Sequence, residues 1–306
     1  MRHTQSIHTL SRADLISTSR APRSNRRSLE TSIREDWTAL VSRAVHSGGL
    51  RERLRGSALA ALPAGPLKLM STSSKISKGE AHGVLTGVIY LAPAGEAVSD
   101  WRHVCPHSTA GCRAACLVSS GHMGMSPARN ARLWRTVLYL ADPARFWALA
   151  VHELHALATR AARADMLPAF RVNGTSDIET PHGFAESARM LGVRLYGYTK
   201  DVSRALENLD SEVYSFNGSD DSRDAALDVL SAGGRVSVVL DVPRGADIPS
   251  TWNGYPAVDG DATDAVFTQP AGSVLILRLK GTRKAKTAAR RSSFAAAPSE
   301  SAEVTR

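Results

Sequence analysis

Cys105, Cys112 and Cys116 fall within twelve residues, and the 306-residue chain contains no other cysteine. Thiolates are soft ligands that suit zinc, copper or iron–sulfur clusters. The segment reads Cys105-Pro-His-Ser-Thr-Ala-Gly-Cys112-Arg-Ala-Ala-Cys116, and Gly111 lets the backbone fold back so that separated sulfurs can face one centre. An odd, tight cluster is a poor disulfide framework, and a chain of this size does not need staples. Three sulfurs do not close a four-sulfur site, which leaves two completions. A nitrogen from His103, His107 or His122 would give structural zinc. A [4Fe–4S] cluster on three thiolates would instead keep one iron open for a small molecule. Three thiols of no shared role are the plainer reading and the less favoured one, because free thiols seldom gather with Gly, Pro and His.

A second group of polar residues falls where strands should end. Phe170-Arg-Val-Asn173-Gly-Thr175-Ser176-Asp177 runs from an apolar strand into a polar turn. Thr199-Lys200 closes the next strand, Asn217-Gly-Ser219-Asp220 the one after, and Asp241 a fifth. Each is an ordinary turn taken singly. In a parallel sheet, however, the C-terminal strand ends share one edge, where ligands bind. Asn173, Ser176, Asp177, Thr199 and Lys200 are therefore the candidate pocket residues. Lys200 could pair with a ligand carboxylate or phosphate, and Asp177 could accept from hydroxyls or an amine. Asp259, Asp261 and Asp264 form an acidic cluster, read first as a solvated loop and second as a metal or hydroxyl site.

These residues need elements to position them. An apolar strand spans Val84–Leu91, and the cysteine loop follows at 101–125. Ser126-Pro127 and Asp142-Pro143 then open helices, Pro being suited to the first helical turn. Strands at 169–172, 194–198, 213–216 and 236–242 alternate with helices near 179–191, 201–208 and 222–232, and further strands are expected at 255–258 and 274–279. Such alternation predicts right-handed crossovers and a parallel sheet. The expected fold is α/β, a partly closed parallel (β/α) barrel-like domain over 66–284. A helical extension (29–65) precedes it, and basic disordered ends flank the chain (1–28 and 285–306). Neither a phosphate-binding loop nor a dinucleotide fingerprint is present. His152-Glu153-Leu154-His155 lacks the spacing of a zinc-protease helix and reads as a helix surface.

Hydrophobic residues make up 43% and charged residues 22%, an ordinary globular balance. No apolar run is long enough to span a membrane, and the Arg-rich start lacks the apolar core of a secretory signal, so a cytoplasmic protein is expected. The net charge of +9 is uneven. Residues 1–60 hold eleven Arg against five acids, and residues 271–306 hold eight Lys and Arg against two Glu. Each end therefore carries +6, while nineteen bases and twenty-two acids leave the middle at −3. Nucleic acid bound through the basic ends is the candidate macromolecular partner.

The cysteine loop, the preceding Gly87-Val-Ile-Tyr-Leu-Ala-Pro93, Arg171-Val-Asn-Gly-Thr-Ser-Asp-Ile178, Tyr198-Thr-Lys200 and Asp259-Gly-Asp261 with Asp264 together resemble a family of phage and mobile-element proteins. That family is related to the gene-product-88-like phage proteins and brings no established activity. The likeness covers roughly 66–284. A Gly-rich segment common after the third Cys reads Gly121-His-Met-Gly124 here. The chain is more distantly similar to radical S-adenosylmethionine enzymes. That resemblance implies a [4Fe–4S] cluster on the loop after the first barrel strand, with S-adenosylmethionine on the open iron. The cysteine spacing departs from theirs, Ala115 replaces the usual aromatic residue, and Gly233-Gly234 lies before the fifth strand, not after the second. The alternative from another class is a zinc-stabilised nucleic-acid-binding protein of a phage replication module.

Overall fold

The computed structural model describes residues 23–71, 76–100, 103–119, 121–292 and 294–296. The expected arm lies outside these residues up to 22, and the expected tail from 297.

The N-terminal extension consists of helices α1 (Arg23–Glu35), α2 (Trp37–His46) and α3 (Arg55–Ala61). Helix α1 begins inside the stretch expected to be a disordered arm. The extension is not a separate unit: Ile33, Trp37, Leu40 and Val41 share one core with Ile89, Leu133, Phe146 and Phe170. Trp37 Nε1 also donates to the Ala58 carbonyl at 3.1 Å, fixing α2 on α3.

Nine strands among the described residues form one sheet. They are β1 (Met70–Ser71), β2 (Val84–Ile89), β3 (Leu167–Arg171), β4 (Arg194–Thr199), β5 (Glu212–Ser215), β6 (Arg235–Leu240), β7 (Thr251–Trp252), β8 (Tyr255–Asp259) and β9 (Val274–Arg278). Their order is β1-β2-β3-β4-β5-β6-β9-β8-β7. Strands β2 to β6 run parallel in chain order, β9 follows parallel to β6, and β8 is parallel to β9. The α/β class and the run of parallel strands agree with the expectation; closure does not. The two edges are the short antiparallel strands β1 and β7. They do not pair with each other, so the sheet is mixed and open rather than a partly closed barrel.

The connecting helices are α5 (Ser126–Ala141), α6 (Pro143–Ala164), α7 (His182–Met190), α8 (Val202–Glu207) and α9 (Asp220–Ser231). Three of them begin at a side-chain cap. The Asp142 carboxylate accepts from Arg145 N at the start of α6, and Asp201 and Ser219 cap α8 and α9 in the same way. A single such cap contributes about 1 kcal/mol. A right-handed crossover between neighbouring parallel strands always returns on the same side. Helices α6 to α9 therefore pack on one face of the sheet. Alternation along the strands divides the cores accordingly. Phe170, Tyr214, Val236, Val238 and Ile276 meet the helices, whereas Val84, Ala169, Tyr196, Val213 and Leu275 face Ala265 and Val266 on the opposite side. On the helix side, the Phe184 ring of α7 stands 5.7 Å from Phe170 and 4.8 Å from Trp147 of α6, seating both helices on β3.

Helix α10 (Arg283–Arg291) follows β9. It lies in the stretch read from sequence as the end of the domain and a disordered tail from 285. Its alanines explain the difference: Ala285 and Ala289 are buried, and a small-residue face can pack closely without any long apolar side chain to announce it. Beyond the helix, Ala296 bridges Leu240 in parallel.

Candidate metal and ligand site

The cysteine loop leaves the C-terminal end of β2 and returns along the parallel edge. Its base is tied to the extension by Arg51 N donating to the Ala97 carbonyl and by a bridge between Leu50 and Val98. Its far side is tied to the β3 loop, where Asp177 N donates to the Val104 carbonyl at 2.7 Å. Cys105 is buried there, its Sγ 3.9 Å from the Thr175 carbonyl oxygen. A short helix, α4 (Ala110–Ala114), carries Cys112. Thr109 caps α4 by accepting from the Cys112 amide at 3.1 Å. Cys116 follows just beyond that helix.

All three cysteines are free thiols. Burial pushes the Cys105 thiol up to about 12, and negative charge at Cys116, Cys112 and Asp177 pushes the same way. Cys116 is pushed up to about 11, again chiefly by burial, with Cys112 and Glu96 adding to it. Neutral thiols are thus favoured at Cys105 and Cys116, the opposite of an activated nucleophile. Lys200, at the end of β4, is an opposing charge beside Cys112 and Cys105. Burial lowers its pKa, while Cys112, Asp177 and Cys105 hold it up. Its ammonium donates to the Ser215 carbonyl and Oγ at the end of β5, both at 2.9 Å.

Two glycines make this crowding feasible. A Cβ on Gly111 would fall 2.7 Å from Ser292 Oγ, so α4 touches the C-terminal segment through bare backbone. A Cβ on Gly174 would fall 2.4 Å from the Tyr90 ring, so the β3 loop lies directly on the end of β2.

The pocket residues expected from the sequence come to this same edge, in different capacities. Asp177 Oδ2 accepts from Lys200 N at 3.0 Å, and Oδ1 pairs with the Arg204 guanidinium. Asn173 Oδ1 accepts from Ser176 Oγ and Ile178 N, and Thr199 Oγ1 accepts from Asp201 N. These last three side chains shape the loops. Of the candidate histidines, His107 Nε2 lies 3.5 Å from Asp201 Oδ2, and His122 Nδ1 faces Met125 Sδ at 3.4 Å. No group of three His, Cys, Asp or Glu side chains among the described residues is gathered closely enough to hold a metal ion.

The acidic cluster is not the solvated loop expected of it. Asp264 is buried, accepts from Arg171 Nη1 at 2.9 and 3.1 Å, and accepts from Tyr196 OH at 3.0 Å. Asp259 and Asp261 pair with Arg278 and Lys280. The Arg171 guanidinium also lies over the Tyr198 ring, 4.6 Å from its centroid, and the Tyr198 hydroxyl is buried without a partner among the described residues. Sequence reasoning missed Arg171, Tyr196 and Tyr198 as a unit. The available signal was their alternation on β3 and β4, which puts all three on the face opposite the helices. Glu153 is another correction. It is buried rather than on a helix surface, and its carboxylate accepts from Leu69 N and Met70 N, holding β1 at the sheet edge.

No described helix is long and apolar enough to cross a membrane. No curated protein and no solved structure matches the chain, and nothing in these comparisons supports the distant likeness to radical S-adenosylmethionine enzymes. The family model of gene product 88 matches residues 67–296, which include the cysteine loop, the parallel strands and α10. The chain therefore belongs to the phage-type gene product 88 family.

Proposed function

We propose that Cys105, Cys112 and Cys116 hold a [4Fe–4S] cluster beside a small-molecule site at the C-terminal edge of the parallel sheet. The observation that carries this reading is that the three thiols, one buried and two half-buried, share one loop at that edge, where Cys112 and Cys105 act electrostatically on the Lys200 ammonium. The donor set suits the group: three thiolates leave one iron for an exogenous ligand. The two candidate groups place different demands on the sulfurs. Sulfurs bound to a single zinc must lie within about 4 Å of one another, whereas thiolates on a cubane bind separate irons and stand further apart. The raised pKa values of Cys105 and Cys116 mean that their ionisation needs a compensating cation, which a cluster would provide.

In this reading Thr109 fixes the Cys112 backbone, and Asp177 ties the cysteine loop to β3, β4 and α8. Lys200 supplies a positive charge beside the thiolates and can orient a carboxylate or phosphate of the ligand. A bound cluster with an open iron would supply one-electron chemistry to that ligand, and S-adenosylmethionine is the candidate.

The test is anaerobic reconstitution of the full chain with iron and sulfide. A brown protein with broad charge-transfer absorption and about four irons per chain is expected, falling to background in Cys112→Ser. A colourless protein without iron overturns the proposal. Stoichiometric zinc in freshly purified protein also overturns it, in favour of a structural site.

A further inference from the structure

We infer that the outward face of α10 docks the phosphate backbone of a nucleic acid. The helix sequence, Arg-Lys-Ala-Lys-Thr-Ala-Ala-Arg-Arg, contains no acidic residue. Its inner face is fixed, since buried Ala289 clusters with Ala115, Leu279 and Ala295. Its outer face lines an open concavity of about 760 Å³ formed by Arg283, Lys284, Thr287, Ala288, Arg291 and Ser292.

The charges on that face are available. Arg283, Lys284 and Arg291 are exposed. Nearby ion pairs use Lys280 and Arg290 instead, with Asp261 and Asp241. Among the described residues no carboxylate pairs with Arg283, Lys284 or Arg291. Eight residues of helix place Arg283 and Arg291 about 12 Å apart, a span of about three phosphates along one strand. Guanidinium forks match phosphate oxygens, and the Thr287 hydroxyl can add a neutral donor.

The same face argues against other polyanions. Its only apolar side chain is Ala288, so nothing on it can insert into a lipid surface. It also lacks the aromatic or large aliphatic anchor on which protein interfaces depend. Because α10 packs on α4, a bound strand would run beside the cysteine loop. The inference does not depend on what the cysteines hold.

The experiment is fluorescence anisotropy of the full chain with a labelled single strand of about 30 nucleotides and the matching duplex, between about 50 and 200 mM salt. Replacing Arg283, Lys284 and Arg291 together by Ser should weaken binding at least about tenfold and reduce the log–log salt slope by about 2 to 3. A charge-matched triple of exposed arginines elsewhere, Arg53→Ser with Arg160→Ser and Arg244→Ser, should retain most of the affinity and the slope. Circular-dichroism melts check that both triples fold. If the α10 triple does not, Arg291→Ser alone should lower the slope by about 1. Equal losses in the two triples, an unchanged slope, or wild-type protein that binds anionic vesicles but neither nucleic acid overturns the inference.

Discussion

The Phe294 ring lies over the Lys200 ammonium, its centroid 5.4 Å from Nζ. This contact joins the last described segment of the chain to the end of β4, and Ser292 reaches the Gly111 backbone from the same segment. The C-terminal residues are thus part of the packing around the cysteines. Gly111→Val should force Ser292 away from α4 and cost about 1–3 kcal/mol. Phe294→Ala should cost about 1–2 kcal/mol through lost packing and cation–π attraction. Both should also speed the reaction of Cys112 with a thiol reagent under native conditions. Unchanged rates in both variants would show that the segment does not cover the site.

Asp177 connects three loops, accepting from Lys200 N and pairing with Arg204 while its own amide binds Val104. Asp177→Asn removes the charge opposite a largely buried guanidinium, whose side chain is 15% exposed. A loss of about 3 kcal/mol is expected in urea denaturation. Because Arg204 lies beside both the Asp177 and Glu212 carboxylates, the double variant with Glu212→Gln should depart from additivity.

Glu212 sets a pH dependence of its own. Burial raises its carboxyl from the usual 4.5 to about 7, against the lowering effect of Arg204, whose Nε is 3.9 Å from Oε1. Between these values the folded protein holds a proton that the unfolded chain has released. The folded state therefore binds more protons, and stability falls as pH rises from about 4.5 to about 7. The contribution is fully present below that window and lost above it. Urea titrations of wild type and Glu212→Gln from about pH 5 to about pH 8 should show this decline only in the wild type. Parallel curves would mean that Glu212 titrates normally.

Asp264 is the counter-charge of Arg171 on the face opposite the helices. Asp264→Asn should destabilise by about 3–5 kcal/mol, because it leaves a buried guanidinium without its anion. Tyr196→Phe removes only one hydrogen bond to that carboxylate and should cost about 1 kcal/mol. Thermal or urea unfolding of the two variants separates these effects. A cost for Asp264→Asn no larger than that for Tyr196→Phe would show that the ion pair contributes little.

Much of the fold was legible in the chain itself. Short apolar runs, proline at helix starts, and glycine or a polar cap at helix ends act over a few residues, so they placed β2 to β6 and α5 to α9 within a few residues of their observed limits. The three clustered cysteines and the polar strand ends likewise identified one edge of the sheet, because parallel strands must expose their C-terminal ends together. Other features depended on partners distant in sequence. Openness of the sheet was decided by β1 and β7, whose two residues each carry too little pattern to read. Whether Asp264 is solvated or buried depended on Arg171, ninety-three residues earlier. Whether residues beyond 284 pack at all depended on Ala289 and Ala295 meeting Ala115 and Leu279. The sequence by itself determined which residue types are available at the cysteine loop. Tertiary structure alone decided that Lys200, Asp177 and the C-terminal segment meet it, because burial and charge pairing are set by the neighbours that folding brings together.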